Sequence, residues 1–338
     1  LKISVTYVIA MGGTISGNLD GDEVSAGDGA VLKSMVPPEL AGSHISFETV
    51  LSERLFSEEL QPADWAALIH AIAVRIASGT ANGIVVTHGT DTLAYTAPLV
   101  HWLFADVGVP IVLTASNAPP SPRAGDDRKA DDADEARANF AKALHLAQER
   151  DRGVFVVFGG RVLSPVNLKF VKPALAGFTN WNAASPTSSG QGLLTDFADT
   201  DRYVMSRILS EAANSMFMCR VYPGMRADRL LSLADEGVRF FFLELYEKGT
   251  ANMKEGPWSL KPLLTQGRKR NCRFFCTSQQ EGVVDFSGYS TSRRMWREGA
   301  IPMGQLTTET AIALYFAASL VCDTDEELEK IMEAAGQS

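Results

Sequence analysis

Four short apolar runs, each closed by a polar turn rich in glycine or proline, limit the folds open to this chain. Ile84 to Val86 is β-branched with no polar alternation, the pattern of a strand covered on both faces of a sheet. Lys2 to Ala10, Val109 to Thr114 and Gly153 to Phe158 read as buried strands as well. Helical stretches separate them: Trp65, Leu68, Ile69, Ile72 and Ile76 recur at helical spacing behind Pro62, and helices are expected at Ala94–Phe104 and Asp134–Glu149. Alternating strands and helices give a mainly parallel sheet flanked by helices. Ligands bind such sheets outside the carboxyl ends of the strands, so Thr87-His88-Gly89-Thr90-Asp91-Thr92 is a candidate site. A second reading of the same turn is a capping cluster, with Asp91 or Thr92 accepting amide protons from the next helix.

The other turns carry chemistry too. Gly12-Gly13-Thr14 puts a hydroxyl and closely approachable backbone amides at the end of the first strand. Gly17 to Gly29 is small, acidic and poor in apolar residues, which suits a mobile lid or a disordered loop. Ser57 and Glu58 read as surface polar residues, and Pro122 to Ala133 as a solvated charged insertion. Ser116 lies in the turn after the third run. Lys169 sits among apolar residues in a stretch expected to cross the sheet; it is either a snorkelling lysine or a desolvated base.

A composition break at Ser185–Gly192 divides the chain. The expected organisation is α/β in two domains: a larger N-terminal mainly parallel sheet flanked by helices over 1–190, a linker over 191–213, and a smaller C-terminal parallel α/β domain over 214–338. In the second domain strands are expected at Met216–Val221, Val238–Leu245 and Arg273–Thr277, and Thr324-Asp325-Glu326-Glu327 is a capping-box start for the last helix. The 338 residues carry a formal charge of −9 with both signs interspersed, which argues against a nucleic-acid or anionic-membrane partner. No apolar run is long enough to span a bilayer and no secretory signal pattern is visible, although the first residue is Leu rather than Met. Cys219, Cys272, Cys276 and Cys322 lack a zinc-like spacing and are expected as buried thiols.

Gly13-Thr14-Ile15, His88-Gly89-Thr90-Asp91-Thr92 and a lysine farther on together resemble the bacterial-type L-asparaginase family of threonine amidohydrolases. Tyr246 to Asn252, Thr277 to Gly282 and Gly304 to Thr310 follow in the family's order, and Thr114 to Pro119 looks closer to the cytoplasmic type I branch. The resemblance implies hydrolysis of L-asparagine to L-aspartate and ammonia, with minor glutaminase activity expected from the acidic Glu58. It implies that Thr14 is the nucleophile and that Thr90, Asp91 and Lys169 form a proton-relaying group, the lysine lowered in pKa by burial. It further implies that Asp91 holds the substrate α-amino group, Ser57 its α-carboxylate, and the Ser116 carbonyl the leaving amide. Gly89 belongs to the same substrate-binding turn, and the amides of Gly13 and Thr90 are the implied oxyanion hole. Asn252 would reach in from a neighbouring subunit, making a homodimer or homotetramer, and no metal or organic cofactor is implied.

The sequence departs from the family at one place of consequence. Members usually carry a tyrosine in the loop after the first Gly-Gly-Thr, and none occurs between Thr14 and Ser57. Lys169 through Thr90, or Glu23 or Ser25 from the loop, would have to replace it. Two other readings stand beside an asparaginase: a binding protein for asparagine or aspartate that lacks turnover, and the amidase subunit of a tRNA-dependent amidotransferase.

Overall fold

The structure, a computed structural model, describes residues 3–20, 23–25, 30–51, 55–120, 130–171, 177–182, 193 and 197–337, with backbone alone over 18–20, 23–25 and 130–134. The chain divides into two compact units, one of residues 1–180 and 184–207, the other of 181–183 and 208–338.

The first unit holds β1 (Val5–Ala10), β2 (Asn18–Asp20), β3 (Glu23–Ser25), α1 (Ala30–Ser34), β4 (Ile45–Thr49), α2 (Pro62–Ala77), β5 (Ala81–Thr87), α3 (Leu93–Phe104), β6 (Pro110–Thr114), α4 (Ala130–Glu149), β7 (Gly153–Phe158), β8 (Arg161–Leu163), β9 (Leu168–Val171) and β10 (Gly177–Asn180). Its main sheet has the order β4-β1-β5-β6-β7-β8, parallel except for β8. The central runs are buried because helices lie against them. Ala136, Phe140, Ala143, Leu144 and Ala147 of α4 form one core with Val85, Val112, Phe155 and Val157. Gly83 lies so close to α4 that a Cβ there would stand 2.1 Å from the Ala147 carbonyl oxygen.

The strand order creates the position of interest. From β1 the chain passes to β4 on one side, whereas from β5 it passes to β6 on the other. The carboxyl ends of β1 and β5 therefore flank the topological switch point, where open α/β sheets form a crevice.

Several expectations are corrected. β4 was not foreseen, because Ile45-Ser-Phe-Glu-Thr pairs on one side only and its residues are only half covered. Gly17–Gly29 is not wholly irregular: Asn18–Asp20 and Glu23–Ser25 pair as an antiparallel ribbon, and the rest of that loop lies outside the described residues. Helix α4 begins at Ala130, inside the stretch read as a loop, and the insertion before it lies outside the described residues. Lys169 does not cross the main sheet; β9 pairs with β10 in a separate two-stranded ribbon. Within the stretch read as linker, Leu193 donates its amide to the Trp102 carbonyl and buried Phe197 meets Phe104 edge-on, both within the first unit.

The helix α5 (Arg202–Ser215) leads into the second unit, with β11 (Met216–Arg220), α6 (Leu231–Asp235), β12 (Phe240–Leu245), α7 (Lys261–Arg268), β13 (Arg273–Ser278), α8 (Ser290–Arg297), β14 (Ala300–Pro302), α9 (Thr308–Ser319) and α10 (Asp325–Gln337). β11 to β14 form a parallel sheet in sequence order. The start of α10 is capped as its sequence predicts, with the Thr324 hydroxyl accepting the Glu327 amide and the Glu327 carboxylate accepting that of Asp323. None of the four cysteines is in a disulfide; Cys272 and Cys276 are buried, Cys219 and Cys322 half-buried.

Candidate active site

The turn after β1 is held open by glycine. Gly12 and Gly13 both take φ of +76°, a region L side chains rarely enter, and the Gly13 amide donates to the Leu55 carbonyl at 3.1 Å. One turn of 3-10 helix follows from Thr14 to Ser16, tied by the Ser16 amide and hydroxyl to the Gly13 carbonyl at 3.2 and 3.1 Å. Thr14 is half-buried, and its hydroxyl forms no hydrogen bond with any described residue.

The turn after β5 lies directly against it. A Cβ placed on Gly13 would fall 2.5 Å from the Gly89 nitrogen and 2.7 Å from the His88 carbonyl carbon. Ser57 closes the third side, its Oγ 2.4 Å from the position a Gly89 Cβ would take. Ser57 is only 2% exposed, which corrects its reading as a surface residue. Its neighbour Glu58 is exposed.

The capping reading of Thr92 is also overturned. The start of α3 has no side-chain cap, because the Thr92 hydroxyl donates to the Ser57 carbonyl at 2.8 Å. Thr92 thus ties the segment bearing Ser57 to the turn. Thr90 is half-buried and Asp91 exposed, and their side chains form no hydrogen bond with any described residue, Lys169 included. Lys169 is half-buried on β9, its backbone opposite Thr179.

His88 anchors the turn from below. Its ring is fully buried, and Nδ1 lies 2.9 Å from the Gly89 carbonyl oxygen. A carbonyl only accepts, so Nδ1 carries the proton. Burial pushes the pKa of His88 down from 6.5 to about 4, partly opposed by that hydrogen bond, and keeps the imidazole neutral at pH 7.

Ser116, after β6, is fully buried, and two residues of α4 grip the peptides on either side of it. Asn139 Nδ2 donates to the Ala115 carbonyl at 3.0 Å, and the Asn117 amide donates to Glu135 Oε2 at 3.0 Å. Sequence reading passed over Glu135 and Asn139; their signal is a polar pair four residues apart on a helix face otherwise made of Ala136, Phe140 and Ala143. Glu23 and Ser25 have paired backbones, but their side chains lie outside the described residues.

Asn252 belongs to the second unit. Its Nδ2 donates to the Trp258 carbonyl and its Oδ1 accepts the Lys254 amide, both at 3.0 Å, so its own loop fixes the side chain.

Against known proteins, residues 5–190 match the family profile described as "Asparaginase, N-terminal". A glutamyl-tRNA(Gln) amidotransferase subunit of Pyrococcus horikoshii is 25% identical over 347 residues, covering 96% of this chain and 73% of that protein. The L-asparaginase of Thermococcus kodakarensis is 27% identical over 297 residues, covering 86% of this chain and 85% of that protein. A solved structure of the thermostable L-asparaginase from that organism superposes with a TM-score of 0.76 at 24% identity, covering 97% of each chain. L-asparaginase I of Vibrio cholerae has the same fold, with a TM-score of 0.74 at 20% identity over 98% of this chain and 97% of that one. With more than half of its length matched by the family profile, and with two Gly-Thr turns meeting at the switch point of its sheet, the chain belongs to the asparaginase family of amidohydrolases.

Proposed function

We propose that the chain is an L-asparaginase converting L-asparagine and water to L-aspartate and ammonia. One observation carries the reading: the turns of β1 and β5 are in backbone contact, while the side chains of Thr14, Thr90 and Asp91 remain unpaired among the described residues. Nearby hydroxyls on Ser16, Thr92, Thr114 and Ser116 are all engaged by carbonyls. Unpaired polar groups at a crevice are available to a ligand.

In the proposed reaction Thr14 Oγ attacks the side-chain amide carbon, and its proton passes by way of Thr90 and Lys169 to the departing nitrogen. The C–N bond breaks, ammonia leaves, and a β-aspartyl ester remains on Thr14. Water then adds to the ester, the bond to Thr14 Oγ breaks and the hydroxyl regains its proton. The Thr90 amide stabilises the oxyanion, such a donor contributing about 3 kcal/mol, whereas the Gly13 amide, the other implied donor, is taken by the Leu55 carbonyl. Asp91 takes the substrate ammonium beside Gly89, Ser57 the α-carboxylate, and the Ser116 carbonyl an N–H of the scissile amide. Glu58, next to Ser57, admits glutamine as a minor substrate. Lys169 and Thr90 take over the part of the loop tyrosine that this chain lacks.

A homodimer or homotetramer completes the proposal. On the second unit a groove of about 440 Å³ is lined by Tyr222, Met225, Tyr246, Asn252, Trp258 and Leu260, with Tyr222 61% and Trp258 52% exposed, an apolar surface suited to a second copy. A cytoplasmic location is part of the proposal, supported by the type I resemblance; among the described residues no helix is long and apolar enough to cross a membrane.

The test is ammonia release with L-asparagine, L-glutamine and D-asparagine, repeated with Thr14→Ala. Release from L-asparagine that the substitution abolishes is the expected result. Thermal stabilisation by L-asparagine without ammonia would instead support a binding protein. The extent of the likeness to the amidotransferase protein favours a second reading, in which ammonia passes to a partner. Turnover that appears only with a copurifying partner chain would establish it.

A further inference from the structure

We propose that Glu135 is a positioning residue that aims the Ser116 carbonyl at the scissile amide, and so makes the site selective for amides over esters. The inference rests on the asparaginase reading.

Two hydrogen bonds from α4 bracket Ser116. Asn139 Nδ2 holds the carbonyl of Ala115, the peptide before it. The Glu135 carboxylate holds the amide of Asn117, the peptide after it, at 3.0 Å, and its other oxygen takes Asn117 Nδ2 at 3.3 Å. The Ser116 hydroxyl lies 2.6 Å from the Ala118 carbonyl and 3.3 Å from Glu135 Oε2, so its single hydrogen closes the turn onto Ala118.

A trans peptide is planar, with its C=O and N–H antiparallel. Holding the Asn117 N–H toward α4 therefore turns the Ser116 C=O away from α4. Holding the Ala115 C=O toward α4 likewise turns the Ser116 N–H away from it. A fully buried residue thus keeps its own carbonyl directed off the helix that packs on β5, β6 and β7, at the carboxyl end of the strand beside β5. Without Glu135 the Ser116–Asn117 peptide loses the hydrogen bond that holds its N–H toward α4 and can rotate.

The consequence is specific to nitrogen. A carbonyl can hold the leaving group only through an N–H, and by holding one it orients the nitrogen lone pair to receive the proton on which C–N cleavage depends. An ester leaving group has no N–H. L-aspartate β-methyl ester would use the same nucleophile, oxyanion donors and α-carboxylate and α-amino contacts, releasing methanol in place of ammonia, and would not feel the aim of Ser116.

The test compares kcat/KM for L-asparagine and for L-aspartate β-methyl ester in the wild type, Glu135→Ala and Glu135→Gln, with circular dichroism to check folding. Glu135→Ala is expected to lower the amide reaction by about tenfold to a hundredfold, the scale of one misplaced hydrogen-bonding group in a reacting site. The ester reaction should fall less than about threefold, and Glu135→Gln, which keeps an acceptor for the Asn117 amide, should recover most of the amide rate. Equal losses on both substrates, or no loss on either, would overturn the proposal while leaving the asparaginase reading intact. A folded wild type that hydrolyses neither substrate would overturn both. Should Glu135→Ala not fold, the same split is read from Asn117→Pro, which removes the gripped N–H: amide and ester rates falling together would again overturn the positioning role.

Discussion

Gly13 and Gly89 meet backbone to backbone: a Cβ on Gly13 would stand 2.5 Å from the Gly89 nitrogen and 2.6 Å from its Cα. This contact joins the two strand-end turns into one site, and it can exist only where one partner lacks a side chain.

Gly13→Ala should therefore damage fold and turnover together. The new methyl meets main-chain atoms rather than a flexible side chain, at a φ of +76°. A loss of about 2 kcal/mol or more is expected, read as a lowered urea midpoint. Gly89→Ala meets chiefly the Ser57 side chain, so it should raise KM more than it lowers stability. Gly42→Ala, with nothing within 4 Å of the added Cβ, should change neither.

Lys169→Met should lower kcat by about a hundredfold or more with little change in KM, if the amine carries a proton in the reaction. Lys169→Arg should not rescue it, because a guanidinium stays protonated. An unchanged rate in single-turnover assays would return Lys169 to a half-buried lysine without a chemical role.

Stability should fall in acid because of two buried histidines. Burial holds His88 and His101 at about 4, below 6.5; around His101 the nearby Asp106 carboxylate partly opposes it. Depressed values mean that the unfolded chain binds protons first. The stabilisation is thus complete above about pH 6.5 and is lost as pH falls toward 4, by about 3 kcal/mol for each ring. Urea midpoints at pH 7 and pH 4.5 measure this. His101→Leu should reduce the acid loss without destabilising the protein at pH 7, since His101 Nδ1 is buried without a hydrogen-bond partner among the described residues.

In the second unit, Glu244 is 3% exposed; it pairs with Arg220 and accepts the Thr308 hydroxyl at 2.9 Å. The Arg220 side chain is 60% exposed. Removal of the two partners should therefore be unequal. Arg220→Ala leaves a buried carboxylate without its cation and should cost about 3 kcal/mol, whereas Glu244→Gln leaves a guanidinium that water can solvate and should cost about 1 kcal/mol. Equal losses on chemical denaturation would show that the ion pair is not what holds this corner.

Much of the fold was legible because its signals are local. The unalternated Ile84-Val85-Val86 run announces a strand covered on both faces, and β5 is buried by α4 on one side. Pro62 and the Trp65 to Ile76 spacing announce α2, which begins at Pro62 with Leu68, Ile69 and Ile72 fully buried. The misses are non-local. Ile45-Ser-Phe-Glu-Thr reads as a strand only once β1 lies beside it. Ser57 looks like a surface serine because nothing near it in sequence is the Gly89 that covers it. Thr92 looks like a cap because the carbonyl it binds instead lies 35 residues away.

The sequence by itself therefore determined the repertoire: which runs are strands, which turns carry hydroxyls and a carboxylate, and where glycine permits close approach. Periodicity and turn chemistry act over a few residues and survive without a partner. Tertiary structure alone decided that β1 lies between β4 and β5, which turns Gly13, Ser57 and Gly89 into neighbours, and that Glu135 and Asn139 grip the peptides around Ser116. Those relations follow from long-range strand pairing and from the packing of α4 on the sheet, whose energies depend on residues tens of positions apart and so leave no mark on any one stretch of sequence.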